Sequence, residues 1–398
     1  KLSSIYFLVY LKFLIIEFMR FLTLTIVLSL MNWSCSNPNA SLETHLFRNG
    51  EGGYQCYRIP ALIQTPQGVL FAFAEGRKTN CEDFGNVDIL LKKSVDGGRH
   101  WSQMEVVADY GELQAGNPAP VVDLFDPRYP QGRIFLFYNT GDASEHEMRL
   151  GKGTREVWYI SSVDQGQTWS SPKNITNQVH FNSTSSHEER DWRTHATTPG
   201  HAIQFKRAPY QGRIYVPANH SQGIPQEGFN EYRAYGFYSD NHGEDFKVSP
   251  DLNTPSSNEG IGAELPDGSL LLNVREQNGA TKQRLVALSK SGGEFWDSET
   301  FDPELISPVC QSSIVLFEGS QDTLLLYSGP NSNSKREKMT VKGSLDFGKT
   351  WKYQKEIYPG TAAYSDLVQI DADHIGLFYE RDQAGIYFIR FPYSELKK

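Results

Sequence analysis

A phrase of eight residues, Ser-x-Asp-x-Gly-x-Thr-Trp, recurs along this 398-residue chain. Five copies begin, in chain order, at Ser94, Ser162, Ser239, Ser289 and Ser344. The copies at Ser162 and Ser344 are complete, the copy at Ser94 lacks only the threonine, and the other two are weaker. Successive copies begin 50 to 77 residues apart, each after a segment rich in β-forming residues. A motif that recurs in this way predicts an array of small antiparallel sheets.

Each residue type that recurs in the phrase has a local structural use. An aspartate in a turn accepts N–H bonds from its own backbone, and a glycine supplies a left-handed position. The aromatic residue that ends the phrase is predicted to pack as an apolar plug between neighbouring sheets. We therefore assign these aspartates to the scaffold rather than to catalysis.

The rest of the chain repeats short apolar runs bounded by Gly, Pro, Asn or Asp, which is the pattern of strands and turns. The runs are 69–74, 134–138, 157–161, 214–216, 270–274, 285–288, 324–327, 375–379 and 386–391. About 360 residues in four-stranded units of roughly 60 residues predict an all-β, six-bladed β-propeller, and the spacing alone leaves seven blades open. In such an array, polar residues from distant strand ends meet at one mouth of a central channel.

The first residues differ in composition from the remainder. Residues 1–35 read as a signal peptide or lipoprotein-like leader, with a true start at Met19 as one alternative and an uncleaved anchor helix as another. Residues 36–47 are predicted to be a short tether, and 48–398 the propeller domain. We expect the protein to be exported. It would then be secreted, periplasmic, or anchored at the surface as a lipoprotein, with the leader or a lipidated Cys35 as the membrane tether.

Charge and cysteine content exclude several classes of function. The formal net charge is −9 and no basic run is present, which argues against nucleic acid as a partner. Beyond the leader, Cys56, Cys81 and Cys310 form neither a disulfide framework nor a zinc site, although the sequence leaves pairing of Cys56 with Cys81 open. His195 and His201 lack metal-ligand spacing, so we expect no metal and no cofactor.

Three arginines lie at the ends of apolar segments. Arg58 precedes the first strand, Arg275 ends the run 270–274, and Arg336 precedes the last copy of the phrase. An arginine at such a position is costly to bury unless it is paired, and taken singly each is most simply a surface ion pair. Convergence of all three at a channel mouth would instead create a site for a carboxylate.

Taken together, these elements resemble the exo-α-sialidases (neuraminidases) of the bacterial and animal type. The resemblance rests on Tyr57-Arg58-Ile59-Pro60, Ala74-Glu75-Gly76-Arg77, the repeated phrase (the Asp box), Asn258-Glu259 and Ala363-Tyr364-Ser365-Asp366-Leu367. The matching elements occur in family order between about residues 48 and 393. Their combination is specific, whereas Asp boxes alone also occur in other propellers.

The resemblance assigns a role to each matching residue. It implies that Arg58, Arg275 and Arg336 bind the substrate carboxylate, and that Arg77 contacts the O4 side of the sugar. It implies a nucleophilic Tyr364 with Glu259 as its general base. Asp83, rather than the adjacent Glu82, matches the general acid/base through its Asp-x-Gly-x-x-Asp spacing. Asn219 and His220 fall where this family often lines the glycerol pocket.

These roles predict hydrolysis of terminal α-linked sialic acids from glycoproteins, glycolipids or oligosaccharides, with retention at the anomeric carbon. A propeller lectin that binds sialoglycans without cleaving them is one alternative. Such a lectin would not need Tyr364, Glu259 and Asp83, and all three are present. A trans-sialidase or intramolecular variant would use the same residues, and the sequence leaves that alternative open.

Overall fold

Short antiparallel strands make up most of the part of the chain that the structure describes. The computed structural model describes residues 40–181 and 190–397, and the predicted leader lies outside them. Residues Ser41–Lys398 cluster as one compact unit. Within the described ranges, no helix is long and apolar enough to cross a bilayer.

The described strands group into six blades of antiparallel strands, called sheets here and numbered in chain order. One parallel pair, Val87 with Gln114, also joins the first sheet to the second, and one long strand runs through both the fifth and the sixth. The first sheet contains β2 (Cys56–Gln64), β3 (Leu70–Arg77), β4 (Val87–Ser94) and β5 (Glu105–Ala108). The second contains β6 (Gln114–Asp123), β7 (Arg133–Gly141), β8 (Arg155–Ser162) and β9 (Lys173–Asn174). The third contains β10 (Trp192–Thr197), β11 (Ile203–Gln204), β12 (Ile214–Gln222), β13 (Tyr232–Ser239) and β14 (Lys247–Val248).

The remaining three sheets follow the same plan. The fourth contains β15 (Ser257–Glu264), β16 (Leu270–Glu276), β17 (Gln283–Ser289) and β18 (Ser298–Ile306). The fifth contains β19 (Ser313–Glu318), β20 (Thr323–Pro330), β21 (Glu337–Ser344) and the first half of β22 (Tyr353–Gln369). The sixth contains the second half of β22, β23 (His374–Arg381), β24 (Gly385–Pro392) and β1 (Leu42–Arg48). Two short helices, α1 (Glu145–Arg149) and α2 (Thr176–Val179), lie in loops.

The sheets form a closed ring. The innermost strands contact one another in the order β2, β6, β10 with β11, β15, β19 and β22, and β22 then contacts β2. In the fourth sheet the inner strand β15 is buried along its whole length, whereas the outer strand β18 has a single buried residue, Leu305. The predicted all-β fold with six sheets is therefore confirmed, and the predicted apolar runs all fall in strands except for Val69, which immediately precedes β3.

One boundary differs from the prediction. Strand β1 begins at Leu42, inside the segment 36–47 that we expected to be a tether. It pairs antiparallel with β24, from Leu42 opposite Arg390 to Arg48 opposite Gly385. The sequence did not reveal this strand because its partner lies at the other end of the chain.

The Asp boxes occupy equivalent places in five sheets. Each begins on the last residue of the third strand, counted outward from the channel. There the serine hydroxyl accepts the N–H of the glycine four residues later, as in Ser162 with Gly166 at 2.9 Å. The Asp164 carboxylate then accepts the Thr168 N–H at 2.9 Å and its hydroxyl at 2.6 Å. In the box at Ser239, Asn241 takes the place of the aspartate and accepts the Asp245 N–H. The boxes are turns, as predicted.

The aromatic residue of each box contacts the preceding sheet in the ring. Trp169 of the second sheet packs edge-on against Phe73 of the first, with ring centroids 6.2 Å apart. Phe246 packs in the same way against Phe137, at 5.6 Å. The predicted plug between sheets is thus present, and it fixes the angle between neighbours by burying aromatic surface.

A buried carboxylate lies on the channel axis. Asp366, in the second half of β22, has no exposed surface. Its Oδ2 accepts the backbone N–H of Leu62 at 2.8 Å and that of His201 at 3.0 Å. Its Oδ1 accepts the Ser313 hydroxyl at 2.8 Å and lies 2.7 Å from Nδ1 of His201. Four of the six sheets therefore meet at one side chain, two residues from Tyr364.

We expect Asp164→Ala to lower the free energy of unfolding by about 1–2 kcal/mol at pH 7, because the turn loses its acceptors. Hydrogen bonds from Thr168 lower the pKa of Asp164 from 3.8 to about 2. The ionised form therefore stabilises the fold above pH 4, and this contribution is lost as the pH falls toward 2. Urea titrations at pH 7 and pH 3 should show a smaller difference between the native chain and Asp164→Ala at the lower pH.

Asp164→Asn is the matched control for this variant. Because an asparagine already fills the equivalent place at Asn241, this substitution should retain the acceptor and most of the stability at pH 7. Identical urea midpoints for the native chain and Asp164→Ala at pH 7 would contradict the role of the carboxylate.

Candidate active site

A cavity of about 200 Å³ opens at one mouth of the channel and is lined by all six sheets. Eight of the nine residues predicted from the sequence line it: Arg58, Arg77, Asp83, Asn219, Glu259, Arg275, Arg336 and Tyr364. They come from segments more than 300 residues apart in the chain. The structure thus brings together the strand-end residues that the sequence singled out.

Tyr364 and Glu259 form a hydrogen-bonded pair at the floor of the cavity. The Tyr364 hydroxyl donates to Oε1 of Glu259 at 2.5 Å. Arg275 donates from Nη1 to the other oxygen of Glu259 at 2.6 Å and to the Tyr364 hydroxyl at 2.9 Å. Burial and the charge of Glu259 raise the pKa of Tyr364 well above its usual value, against the opposing effect of the arginines. The phenol is therefore neutral and has a proton acceptor in place.

Two further arginines lie over the Tyr364 ring. The guanidinium carbon of Arg58 is 5.1 Å from the ring centroid, and that of Arg336 is 5.6 Å from it. Together with Arg275 they surround the phenol with three positive charges. A ligand carboxylate placed above Tyr364 would find charge-assisted donors on these three guanidinium groups.

Glu380 orients Arg58 and was not identified from the sequence. Its two oxygens accept from Nε and Nη2 of Arg58 at 3.1 Å and 3.2 Å, and Oε1 also accepts the Ile59 N–H at 2.9 Å. The sequence did contain a signal for Glu380, because this charged residue directly follows the apolar run 375–379 and therefore lies at a predicted strand end. Its partner could not be inferred, since the two residues are 322 positions apart.

Arg336 differs from Arg58, Arg77 and Arg275 in having no carboxylate partner within the described residues. Its guanidinium donates from Nη2 to the carbonyl of Val309 at 2.9 Å. By contrast, Arg58 pairs with Glu380, Arg77 with Glu75, and Arg275 with Glu259. Of these four arginines, Arg336 thus has the most unused capacity for an anionic ligand.

Asp83 stands at the rim of the cavity between two arginines. Its Oδ1 is 2.8 Å from Nη1 of Arg77 and 3.2 Å from Nη1 of Arg58, while its side chain is three-quarters exposed. Partial desolvation in the cavity favours the neutral acid, but the charges of Arg77 and Arg58 outweigh it and lower the pKa of Asp83. The neighbouring Glu82 is exposed and contacts neither arginine through its side chain among the described contacts.

β-Bulges aim these side chains into the cavity. The pairing register shifts at Arg58 in β2, between Gly116 and Ala119 in β6, beyond Ser257 in β15, and around Tyr364 in β22. A bulge turns a strand locally and redirects the side chains beside it. Pro60 and Pro118 in the first two of these strands are a sequence signal for this irregularity, because proline within a sheet favours bulges and edges.

Asn219 and His220 take opposite sides of strand β12. Asn219 lines the cavity, and its amide nitrogen is buried without a hydrogen-bond partner among the described residues. His220 is fully buried behind the wall, stacked on Trp192 at 3.5 Å and 3.0 Å from Asp251. The prediction that His220 lines the sugar pocket is wrong, because adjacent residues of a strand face opposite ways.

A separate cluster of possible metal ligands lies outside the cavity. Among the described residues, Asp123, Asp126 and His242 come close together. Arg128 donates to both oxygens of Asp126, and His242 lies 2.8 Å from Asp123. These carboxylates are already engaged, so the cluster is most simply a set of ion pairs between loops.

The chain matches a family model described as a BNR repeat-like domain over residues 68–377. It is 30% identical to a sialidase of Micromonospora viridifaciens over 362 residues, which is 85% of this chain and 52% of that protein. It is 29% identical to sialidase-2 of Cricetulus griseus, covering 83% of this chain and 88% of the relative. The chain therefore spans about half the length of the Micromonospora protein but most of the animal one.

A solved structure, the Hadza microbial sialidase Hz136, superposes with a TM-score of 0.75 at 25% identity, covering 88% of this chain and 68% of that one. These comparisons confirm the resemblance and the propeller fold predicted from the sequence. The chain belongs to the BNR repeat-like domain family, and the relatives that it resembles are sialidases.

Proposed function

We propose that this protein is an exo-α-sialidase that hydrolyses terminal α-linked sialic acids from glycoproteins, glycolipids or oligosaccharides. The observation that carries the proposal is the Tyr364–Glu259 hydrogen bond of 2.5 Å beneath three arginines. Sialic acid bears a carboxylate on its anomeric carbon, so a carboxylate nucleophile would approach an anionic centre. A neutral phenol avoids this repulsion, and sialidases are a known exception to the usual pair of carboxylates.

In the first step Tyr364 attacks the anomeric carbon while Glu259 accepts its proton. A phenol is a weak nucleophile at neutral pH, and the raised pKa of Tyr364 makes the adjacent base necessary. As the glycosidic bond breaks, Asp83 donates a proton to the departing oxygen. Arg58, Arg275 and Arg336 hold the substrate carboxylate and stabilise the developing charge.

In the second step a water molecule resolves the covalent tyrosyl intermediate. Asp83, now ionised, accepts a proton from the water as it attacks the anomeric carbon, and Glu259 returns its proton to Tyr364. Two displacements at the same carbon give net retention. Asn219, with its unpaired amide, is available to contact the polar side chain of the sugar.

Two alternatives use the same cavity. A sialoglycan-binding lectin would employ the arginines alone, and the Tyr364–Glu259 pair argues for the enzyme because binding does not require a base beside a phenol. Transfer of sialic acid to another sugar, or to one of its own hydroxyls, would follow the first step unchanged. Product analysis by NMR with an added acceptor sugar distinguishes transfer from hydrolysis.

We also propose that the protein is exported. The support is the disulfide between Cys56 and Cys81, since disulfides persist mainly in oxidising compartments. Recovery of the protein from the growth medium or the cell envelope of expressing cells is expected. Its recovery only from the reduced cytosol, with both thiols free to alkylation, would overturn this proposal.

We expect Tyr364→Phe to lower kcat for an α-linked sialoside on the order of 1,000-fold or more, since it removes the nucleophile. Asp83→Ala should lower kcat on a sialylated sugar about 100-fold to 10,000-fold through loss of acid catalysis. Sialic acid release by the full chain and each variant measures both effects.

Tyr358→Phe is the matched control for Tyr364→Phe, because the Tyr358 hydroxyl donates a hydrogen bond to Asp382 outside the cavity. Glu82→Gln is the matched control for Asp83→Ala, because the Glu82 side chain contacts no arginine among the described contacts. Both should keep near-native activity. A folded native chain that binds sialosides but releases no sialic acid would reject the hydrolase and leave the lectin.

Arg336→Ala should raise the Kd for free sialic acid about 10-fold to 100-fold, the value of one strong charge-assisted bond. Because Arg336 has only a carbonyl partner among the described residues, the melting temperature should change little. Arg48→Ala, at an exposed ion pair with Glu51, is the control and should leave the Kd unchanged. Calorimetry and thermal unfolding test both statements, and an unchanged Kd for Arg336→Ala would contradict the carboxylate site.

The pH dependence of kcat should differ from that of kcat/KM. In the free protein, Arg77 and Arg58 lower the pKa of Asp83, so its acid form is lost at low pH. A bound carboxylate neutralises part of this positive charge, which raises the pKa of Asp83 in the complex. The alkaline limb of kcat should therefore lie at higher pH than that of kcat/KM. Coincident limbs in initial-rate profiles would contradict this coupling.

A further inference from the structure

The loop that carries Asp83 has little core to hold it. It runs from residue 78 to residue 86, between strands β3 and β4, without regular structure. Residues 79–83 are all exposed to solvent. Loops with few buried apolar contacts open at low cost. A proton donor must nevertheless be held close to the departing oxygen, because geometry comes before pKa in acid catalysis.

A small set of attachments fixes this loop to the rest of the protein. Cys81 forms a disulfide with Cys56, with the two Cα atoms 5.2 Å apart. Arg77 donates from Nη1 to the carbonyl of Cys81 at 2.6 Å. Gln114 donates to the carbonyl of Asp83 at 3.0 Å, and the Gln114 side chain is itself held by Arg155 at 2.8 Å.

The covalent attachment connects two parts of the cavity. Cys56 is buried at the start of β2, two residues before Arg58. The disulfide therefore joins the strand that carries a carboxylate-binding arginine to the loop that carries the acid. It sets the distance between the position of the substrate carboxylate and the position of the proton.

Substrate binding makes this link more important. In the free protein, Asp83 is held partly by its ion pair with Arg58 at 3.2 Å. A substrate carboxylate on Arg58 competes for the same guanidinium, so this ion pair weakens when the acid is needed. Arg77 is also shared, because it donates from Nε and Nη2 to Glu75. A bound anion on Arg58 displaces neither the disulfide nor the Gln114 hydrogen bond to Asp83, and of these two attachments the disulfide is the covalent one.

We propose that Cys56 and Cys81 are positioning residues: their disulfide holds Asp83 within reach of the glycosidic oxygen once the substrate has taken Arg58. The inference rests on the proposed sialidase function, in which Asp83 is the acid. It concerns departure of the leaving group and does not involve binding of the carboxylate.

The test compares two leaving groups on the native chain and on the double variant Cys56→Ser/Cys81→Ser. The leaving group of a nitrophenyl sialoside is nitrophenolate, which departs without protonation. The leaving group of a sialylated galactoside is a sugar hydroxyl, whose oxygen needs a proton as it departs. For the galactoside we expect kcat/KM, which covers the steps up to departure of the leaving group, to fall about 10-fold to 100-fold in the double variant, the effect of a displacement near 1 Å. For the nitrophenyl substrate kcat/KM should stay within about threefold, because its leaving group needs no proton. The Kd for free sialic acid should be unchanged, because the arginines remain in place.

An equal loss on both substrates, or no loss on either, would overturn the proposal, because a purely structural role does not depend on the leaving group. Asp83→Ala should show the same dependence on the leaving group, and Glu82→Gln should show none. If the double variant does not fold, the native chain reduced with a phosphine after folding replaces it, with the same expected pattern. Circular dichroism before and after reduction confirms that the fold is retained.

Hydrogen exchange separates this inference from the function on which it rests. If the native chain releases sialic acid from neither substrate, the proposed function fails, and the tether is then judged by exchange of residues 78–86 alone. Loss of protection confined to these residues when the disulfide is removed supports the tether. Unchanged protection there overturns it.

Discussion

The ring of sheets depends on one buried carboxylate. In a propeller the innermost strands present backbone N–H groups to a central channel, and each such group needs an acceptor. Asp366 accepts from Leu62, His201 and Ser313, which belong to three different sheets, while it sits in a fourth. A charged acceptor in a buried setting forms strong hydrogen bonds, and an unpaired one would be costly. Because Tyr364 lies two residues away on β22, the contact that fixes the axis also fixes the phenol.

The cavity above this contact balances its own charges. Glu380, Glu75 and Glu259 each neutralise one arginine, and Asp83 is shared between two. This pairing lets a dense group of guanidinium side chains exist without a ligand, since uncompensated buried charge is strongly destabilising. A ligand carboxylate would therefore compete with existing ion pairs at Arg58 and Arg275, whereas Arg336 has no carboxylate partner among the described residues. The site is therefore preorganised, and little rearrangement is needed during reaction.

The sequence predicts what is local and misses what depends on ring closure. Asp-box turns, apolar runs and strand-end arginines follow from short-range chemistry, and the structure places them as expected. The partner of Arg58 was not predictable, and the sequence left the pairing of Cys56 with Cys81 open, because both depend on which strands become neighbours. His220 was misassigned because two adjacent polar residues at a strand end cannot share a face, and composition does not say which one faces inward. Resemblance to the sialidases supplied the role of Tyr364, which no local pattern distinguishes from a core tyrosine.

The sixth sheet contains strand β1 from the start of the described chain and strand β24 from its end. A chain still being synthesised holds β1 without a partner until β24 has left the ribosome. Tyr364 and Glu380 lie in that same sheet, on β22 and β23. The nascent protein therefore cannot assemble the cavity sheet by sheet, because the sixth sheet is complete only after β24 has left the ribosome.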